Sequence, residues 1–268
     1  MNYTFLKWAG GKRWFVNNES HRFPLRYNRY IEPFLGGGAV FFYLQPQNAI
    51  LSDINKELIA TYVAVKDEVD AVYRNLKIHQ RKHSRDYYYT IRDRKTRTMA
   101  TSAARMIYLN KACFNGIYRV NSQGKFNVPF GTGREVSFEQ ENLLQSSEIL
   151  QNAMILCQDF QATIDMTQQD DFLFCDPPYA VVNEDARFVS YTADIFSWND
   201  QVRLAAALER AKERNVKIIM TNVDHPAVRA LYENIDGFAL DTVSRSCFIS
   251  GSKEGRKAYS ELIVTANI

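Results

Sequence analysis

Two hydrophobic periods alternate along this chain. Residues 30–32 form a short apolar run that stops at Pro33 and the triplet Gly36-Gly37-Gly38, and the apolar run Ala39–Leu44 follows. That order predicts strand, glycine turn, helix. Ala49–Asp53 predicts a second short strand, ending in an acid 17 residues after Gly36. Over residues 56–76, Leu58, Ile59, Tyr62, Val65, Val69, Val72, Tyr73 and Leu76 recur at spacings of three and four, which predicts one continuous helix. Residues 102–111 predict another. Turn signals then crowd together: Asn115-Gly116, Asn121-Ser122-Gln123-Gly124 and Asn127-Val128-Pro129-Phe130-Gly131. Apolar and aromatic residues fall between them, as in a hairpin and loop. The helical period returns at 142–150, and strands are predicted at Ala153–Cys157 and 171–175. An amphipathic helix at 198–214, a buried strand at 216–221 and strands at 238–243 and 262–265 complete the set.

Strands and helices alternate at both ends, while the turn-rich middle interrupts them. This predicts one α/β domain made of two chain pieces, 1–55 and 146–268, with an insertion at 56–145. The length of 268 residues suits one core domain with a sizeable insertion. Apolar residues at 46% and charged residues at 24% exclude a disordered or collagen-like chain. No run approaches the ~20 apolar residues of a membrane span, and residues 1–11 lack an apolar signal core. Cys113, Cys157, Cys175 and Cys247 form no CxxC pair, which argues against a disulfide framework or a zinc site. The chain reads as a soluble, reduced, intracellular protein with no metal.

Charge changes the picture of the middle. Residues 74–111 hold eleven Lys and Arg against Asp86 and Asp93, a local net charge of +9, although the whole chain carries only +3. The 52 residues 135–186 contain eleven acids and no Lys or Arg. The cations are interleaved with Tyr87, Tyr88, Tyr89, Tyr108 and Phe114, the composition of a surface that meets nucleic acid. A solvated helix face is the competing interpretation.

Three segments carry candidate chemistry. In Glu32-Pro-Phe-Leu-Gly-Gly-Gly38, glycines between strand and helix allow close backbone approach to a cofactor. Phe41 breaks the GxGxxG spacing of a dinucleotide fold, while Asp53 stands where ribose hydroxyls are held. Lys7-Trp8-Ala9-Gly10-Gly11-Lys12-Arg13 lacks the first glycine of a P-loop, since position 6 is Leu6. It offers cations, an aromatic ring and an open backbone instead. Asp176-Pro177-Pro178-Tyr179 follows an apolar strand, where open α/β sheets place ligands. Two prolines stiffen the turn, fix the carboxylate and aim the Pro177 carbonyl outward. Two acceptors beside an aromatic ring suit an exocyclic amine on a flat heterocycle.

Together these segments resemble the Dam-type DNA adenine-N6 methyltransferases, the D12 class of the alpha group. The resemblance runs through essentially the whole chain and includes Tyr108-Leu-Asn-Lys-Ala-Cys-Phe-Asn-Gly-Ile-Tyr-Arg119 and Gly124-Lys-Phe-Asn-Val-Pro-Phe-Gly131. It departs at Thr132-Gly133-Arg134-Glu135, where the family tends to have a basic and aromatic stretch. The resemblance implies a Rossmann-like sheet that binds S-adenosylmethionine, and an inserted, mainly helical DNA-recognition domain carrying a β-hairpin. It implies that Trp8, Lys12, Asp53 and Asp176 line the donor pocket, with Gly36 and Gly38 passing the methionine portion. Asp176, Pro177 and Tyr179 would act on an adenine flipped out of double-stranded DNA. Lys7, Asn115, Ile117, Arg119 and Pro129 would meet DNA within GATC, Arg119 at a guanine edge because its fork matches O6 and N7.

Asp159-Phe160 is open between a contact to the base edge and an ordinary strand end. The segment Lys253–Lys257 is open between a DNA contact and a solvated hairpin. No protein partner is implied, and the expected place of action is the cytoplasm of a bacterium or of a phage host. A nicotinamide dehydrogenase is disfavoured by Phe41 and by the basic insertion. A catalytically inactive DNA-binding protein would not need Asp53 or Asp176, and a cytosine-N4 enzyme usually carries serine at the position of Asp176.

Overall fold

The computed structural model describes residues 4–121, 123–131, 135–179, 196–246 and 258–268. Among the described residues, seven strands form one mixed sheet in the order β3-β2-β1-β4-β5-β7-β6. They are β1 (Tyr30–Glu32), β2 (Ala49–Asp53), β3 (Ala153–Cys157), β4 (Phe172–Cys175), β5 (Lys217–Val223), β6 (Ala239–Ser246) and β7 (Ala258–Ala266). The chain divides into two compact units, Met1–Ser20 with Leu35–Cys157 and His21–Phe34 with Gln158–Ile268.

In the first unit, β2 and β3 pair in parallel, Asp53 opposite Cys157. Helices α1 (Arg13–Glu19), α2 (Ala39–Leu44), α3 (Lys56–Asp67), α4 (Val69–Lys82), α5 (Arg85–Asp93), α6 (Met99–Ala112) and α7 (Gln140–Leu150) belong to it. The single helix expected over 56–76 is instead two, broken at Glu68 (φ −131°, ψ 34°). The physical reason is local charge and a receiving partner. Asp67 and Glu68 are poor company for the negative end of a helix and good company for the positive start of the next. The Lys66 carbonyl, near that end, accepts from Ser147 Oγ at 3.0 Å and Gln151 Nε2 at 2.7 Å. Helix α5 escapes the apolar pattern because only Tyr88 and Ile91 are buried in it. The expected hairpin forms isolated bridges, Val120 to Phe126 and Cys113 to Phe130, with a 3-10 turn at Phe114–Gly116.

In the second unit, β1, β4 and β5 are parallel, while β7 runs antiparallel to β5 and to β6. β4 is buried throughout and reads as a continuous apolar run, as a parallel strand covered on both faces does, while β5 is buried at all but its ends and includes the buried polar residues Thr221 and Asn222. Tyr30, Phe172 and Phe174 lie fully buried in this core. The strand order reverses between β1 and β4, the switch point where open α/β sheets take ligands at the C-terminal strand ends. Among the described residues, α8 (Phe160–Asp165), α9 (Trp198–Glu213) and α10 (Pro226–Ala230) also belong to this unit. Among the described residues, no helix is long and apolar enough to cross a membrane.

Candidate functional site

In the first unit the chain turns at Gly36 (φ 46°) and Gly38 (φ 62°) before α2. Glycine is needed here for space as well as for backbone freedom. A Cβ on Gly36 would lie 2.8 Å from Trp8 Cδ1, so the half-buried indole rests directly on the turn. Tyr62 of α3 donates to the Gly36 carbonyl at 3.0 Å and seats the turn from the other side.

Asp53 closes the same turn. Its Oδ2 accepts from Gly36 N–H at 3.2 Å and its Oδ1 from Asn55 N–H at 2.9 Å. Burial raises the carboxyl's pKa above the ordinary 3.8, and the backbone bonds from Asn55, Gly36 and Ile54 offset only part of that. A poised, partly desolvated carboxylate at the end of a strand suits a polar ligand such as a ribose. Lys12 is 4% exposed, and its Nζ donates to the Gly10 carbonyl at 3.1 Å. These residues fit a nucleoside-bearing donor: an open glycine turn, an aromatic ring and an acceptor acid converge in one unit.

The same unit carries the turn and hairpin that the sequence predicts to meet DNA. Asn115 adopts φ 57°, and Asn115, Ile117, Arg119 and Pro129 are exposed. Arg119 Nε donates to Asn127 Oδ1 at 2.8 Å, which orients an exposed guanidinium. Lys7 is exposed, and its backbone N–H and C=O bond the Asn110 side chain, each at 2.8 Å. Trp8 stacks on Tyr118, with ring centroids 5.1 Å apart. The Tyr118 hydroxyl donates to Glu57 Oε2 at 2.7 Å, and burial, then the Glu57 charge, pushes its pKa well up. Asn110, Tyr118, Glu57 and Tyr62 were not singled out from sequence, where they read as helix or hairpin filler. The asparagine had a signal, a polar residue directly after the apolar run 106–109.

In the second unit Asp176 follows β4 directly and is half-buried. Thr221 of the neighbouring strand β5 donates to its Oδ1 at 3.0 Å. Pro177 is buried. The Tyr179 hydroxyl donates to Oε2 of Glu261 at 2.9 Å, and Glu261 on β7 is 4% exposed. At the end of β1, Glu32 is 3% exposed and accepts from the Tyr30 hydroxyl at 2.9 Å. Burial, then the charges of Glu32 and Asp176, pushes the Cys175 thiol far up, so the ends of β1 and β4 share a negative field. Thr221 and Glu261 also escaped the sequence, because only the strand order makes them neighbours of Asp176 and Tyr179.

Asp159 caps α8 through the Gln161 N–H and pairs with Arg203 at 2.8 Å, while Phe160 stacks on Phe34. Its bonds are those of a strand end. Thr132, Gly133 and Arg134 of the departing segment, and residues 253–257 with Cys247, lie outside the described residues. Among the described residues, no group of three or more His, Cys, Asp or Glu is placed to hold a metal ion.

A family model described as D12 class N6 adenine-specific DNA methyltransferase matches residues 8–245. The Type II methyltransferase M1.LlaDCHI of Lactococcus lactis subsp. cremoris is 37% identical, over 97% of this chain and 94% of that protein. The Type II methyltransferase M.MjaIII of Methanocaldococcus jannaschii is 36% identical, over 81% of this chain and 83% of that protein. The DNA adenine methylase of Haemophilus influenzae is 36% identical, over 97% of this chain and 92% of that protein.

Proposed function

The chain belongs to the D12 class N6 adenine-specific DNA methyltransferases, and from that premise we propose how its residues divide the reaction. The enzyme moves a methyl group from S-adenosylmethionine to N6 of adenine in DNA. When bound, the donor supplies an electrophilic methyl group on a sulfonium. Asp53 accepts the ribose hydroxyls; Trp8, Lys12, Gly36, Gly38 and Asp176 complete the donor contacts.

Adenine N6 is a poor nucleophile because its lone pair is shared with the ring. The Asp176 carboxylate and the Pro177 carbonyl accept its two hydrogens and draw that pair out of conjugation. Asp176 works by placement and preorganised charge more than by base strength, since the product ammonium is acidic. Thr221 holds the carboxylate in position for this task. The base must first leave the duplex, at a cost of a few kcal/mol. Stacking on Tyr179 recovers roughly 1–3 kcal/mol, and the bond to Glu261 keeps that ring from turning away.

Residues 56–145 form the recognition part, and 1–55 with 146–268 the catalytic part. Arg119 reads a guanine edge, Asn115 and Ile117 enter the opened base pairs, Pro129 meets a thymine methyl, and Lys7 adds a contact beside them. GATC is the inferred site, read in the cytoplasm of a bacterium or phage host without an obligatory protein partner. The observation that carries the reading is Asp176 at the end of buried β4 with Pro177 next to it. Incubation with radiolabelled donor should label N6 of adenine in a plasmid containing GATC and leave one without GATC unlabelled. Equal labelling of both would sink the GATC assignment; label on cytosine would sink the amine assignment.

A further inference from the structure

We infer that Asn110 is a positioning residue that couples donor binding to DNA reading. The inference rests on the roles proposed above for Lys7, Trp8 and the turn at residues 115–119. Asn110 lies near the end of α6 and is 2% exposed. Its Oδ1 accepts from the Lys7 N–H at 2.8 Å, while its Nδ2 donates to the Lys7 carbonyl at 2.8 Å and to the Gly116 carbonyl at 3.1 Å. One planar amide thus grips both backbone groups of Lys7 and one of the reading turn.

Gripping Lys7 at both groups aims two side chains at once, Lys7 itself and the adjoining Trp8. Two further bridges join the same segments. Trp8 stacks on Tyr118, whose hydroxyl is tied to Glu57 of α3. Lys7 also packs so closely on Gly116 that a Cβ there would come within 2.5 Å of Lys7 Cδ. Residues 7–8 and 116–118 are therefore held as one piece. A duplex that displaces the turn carries Trp8 with it, and a donor settling on Trp8 orders the turn. The two ligands then change each other's affinity by the same factor, commonly about 5- to 150-fold.

The test measures S-adenosylhomocysteine, the unreactive product, binding to the full chain with and without a saturating cognate duplex. Asn110→Asp keeps the acceptor for the Lys7 N–H and loses both donated bonds. Tyr118→Leu keeps bulk and removes the stack. The wild type should bind at least about tenfold tighter with the duplex, within the usual range of coupling. Each variant should bring that ratio below about threefold while its affinity without DNA changes less than about threefold. A purely structural asparagine would weaken both affinities in parallel and leave the ratio alone. A wild-type ratio near one, or an unchanged ratio in both variants with a folded circular dichroism spectrum, overturns the inference. Should Asn110→Asp fail to fold, Tyr118→Leu decides alone. Trp8→Leu is the separate control: undiminished product binding without DNA would overturn the donor site itself, whatever the coupling ratio.

Discussion

Asp176 and Asp53 are two strand-end acids set to different work by their surroundings. Asp176 accepts from the Thr221 hydroxyl and is half-buried just beyond β4. Asp176→Ala should therefore leave thermal stability near wild type and abolish transfer. Turnover above about a tenth of wild type would mean that less than about 1.4 kcal/mol of transition-state stabilisation came from the carboxylate, and the mechanism would fail. Asp53 is held by backbone N–H groups and carries a pKa raised chiefly by burial. The sign follows from which form each process needs. If Asp53 holds the ribose as proposed, binding needs the carboxylate, so donor affinity should fall as pH drops through a folded value above 3.8. Folding favours the protonated form, so this group's contribution to stability is present below its unfolded value and lost as pH rises through the folded one. Calorimetric titration of S-adenosylhomocysteine from pH 7 to 4 should show the affinity loss, and Asp53→Asn should flatten it. A wild-type profile in that variant would remove Asp53 from the ribose. The strand-end acids were legible because each ends a predicted strand, Asp176 directly before a proline pair and Asp53 17 residues after Gly36. Thr221 and Glu261 were not, since a strand's residues do not announce which strand will lie beside it.

Helices α4, α5 and α6 are tied through rings as much as through aliphatic packing. His79 of α4 stacks on Tyr108 of α6 at 4.9 Å and bonds the Tyr87 hydroxyl of α5 at 2.8 Å. Burial first, then Arg94 and Arg105, pushes His79 down to about 4. A depressed histidine stabilises the fold above its unfolded value and loses that contribution as pH falls toward the folded one. Stability should fall by an amount on the order of 3 kcal/mol between pH 6.5 and about 4. Urea unfolding across that window should show the slope, and His79→Phe should lose it; an equal slope in the variant would place the titration elsewhere. The connector from α5 to α6 exposes Arg94, Lys95 and Arg97. If these neutralise phosphates, replacing all three by alanine weakens cognate and scrambled duplexes alike and flattens the salt dependence by about 0.9 per lost contact. A slope equal to wild type would put this connector off the DNA. Neither α5 nor the break at Glu68 could be read from periodicity: the helix buries two residues, and the apolar spacing runs unbroken past Glu68.

At the scale of the molecule, the parallel strands were the most legible part, because burial on both faces leaves little choice but a run of large apolar residues. The inserted middle was less so; its helices are amphipathic and, among the described residues, its hairpin forms isolated bridges rather than a regular strand pair. What periodicity could not convey is which distant segments meet, and β1 illustrates this best. Tyr30 pairs with Phe172, 142 positions later, and the short strand between Arg29 and Pro33 has that parallel neighbour within its own unit. On a ribosome, at about 5–20 residues per second, the β1 backbone would wait roughly 7 to 28 s for its partner to be made. Every residue of the first unit is translated by Cys157, before β4 exists. Tyr30 and Ile31, which end up fully buried, thus spend that interval without the β4 part of their eventual cover, so slow stretches of the message between these strands would prolong the nascent chain's exposure to chaperones and to aggregation.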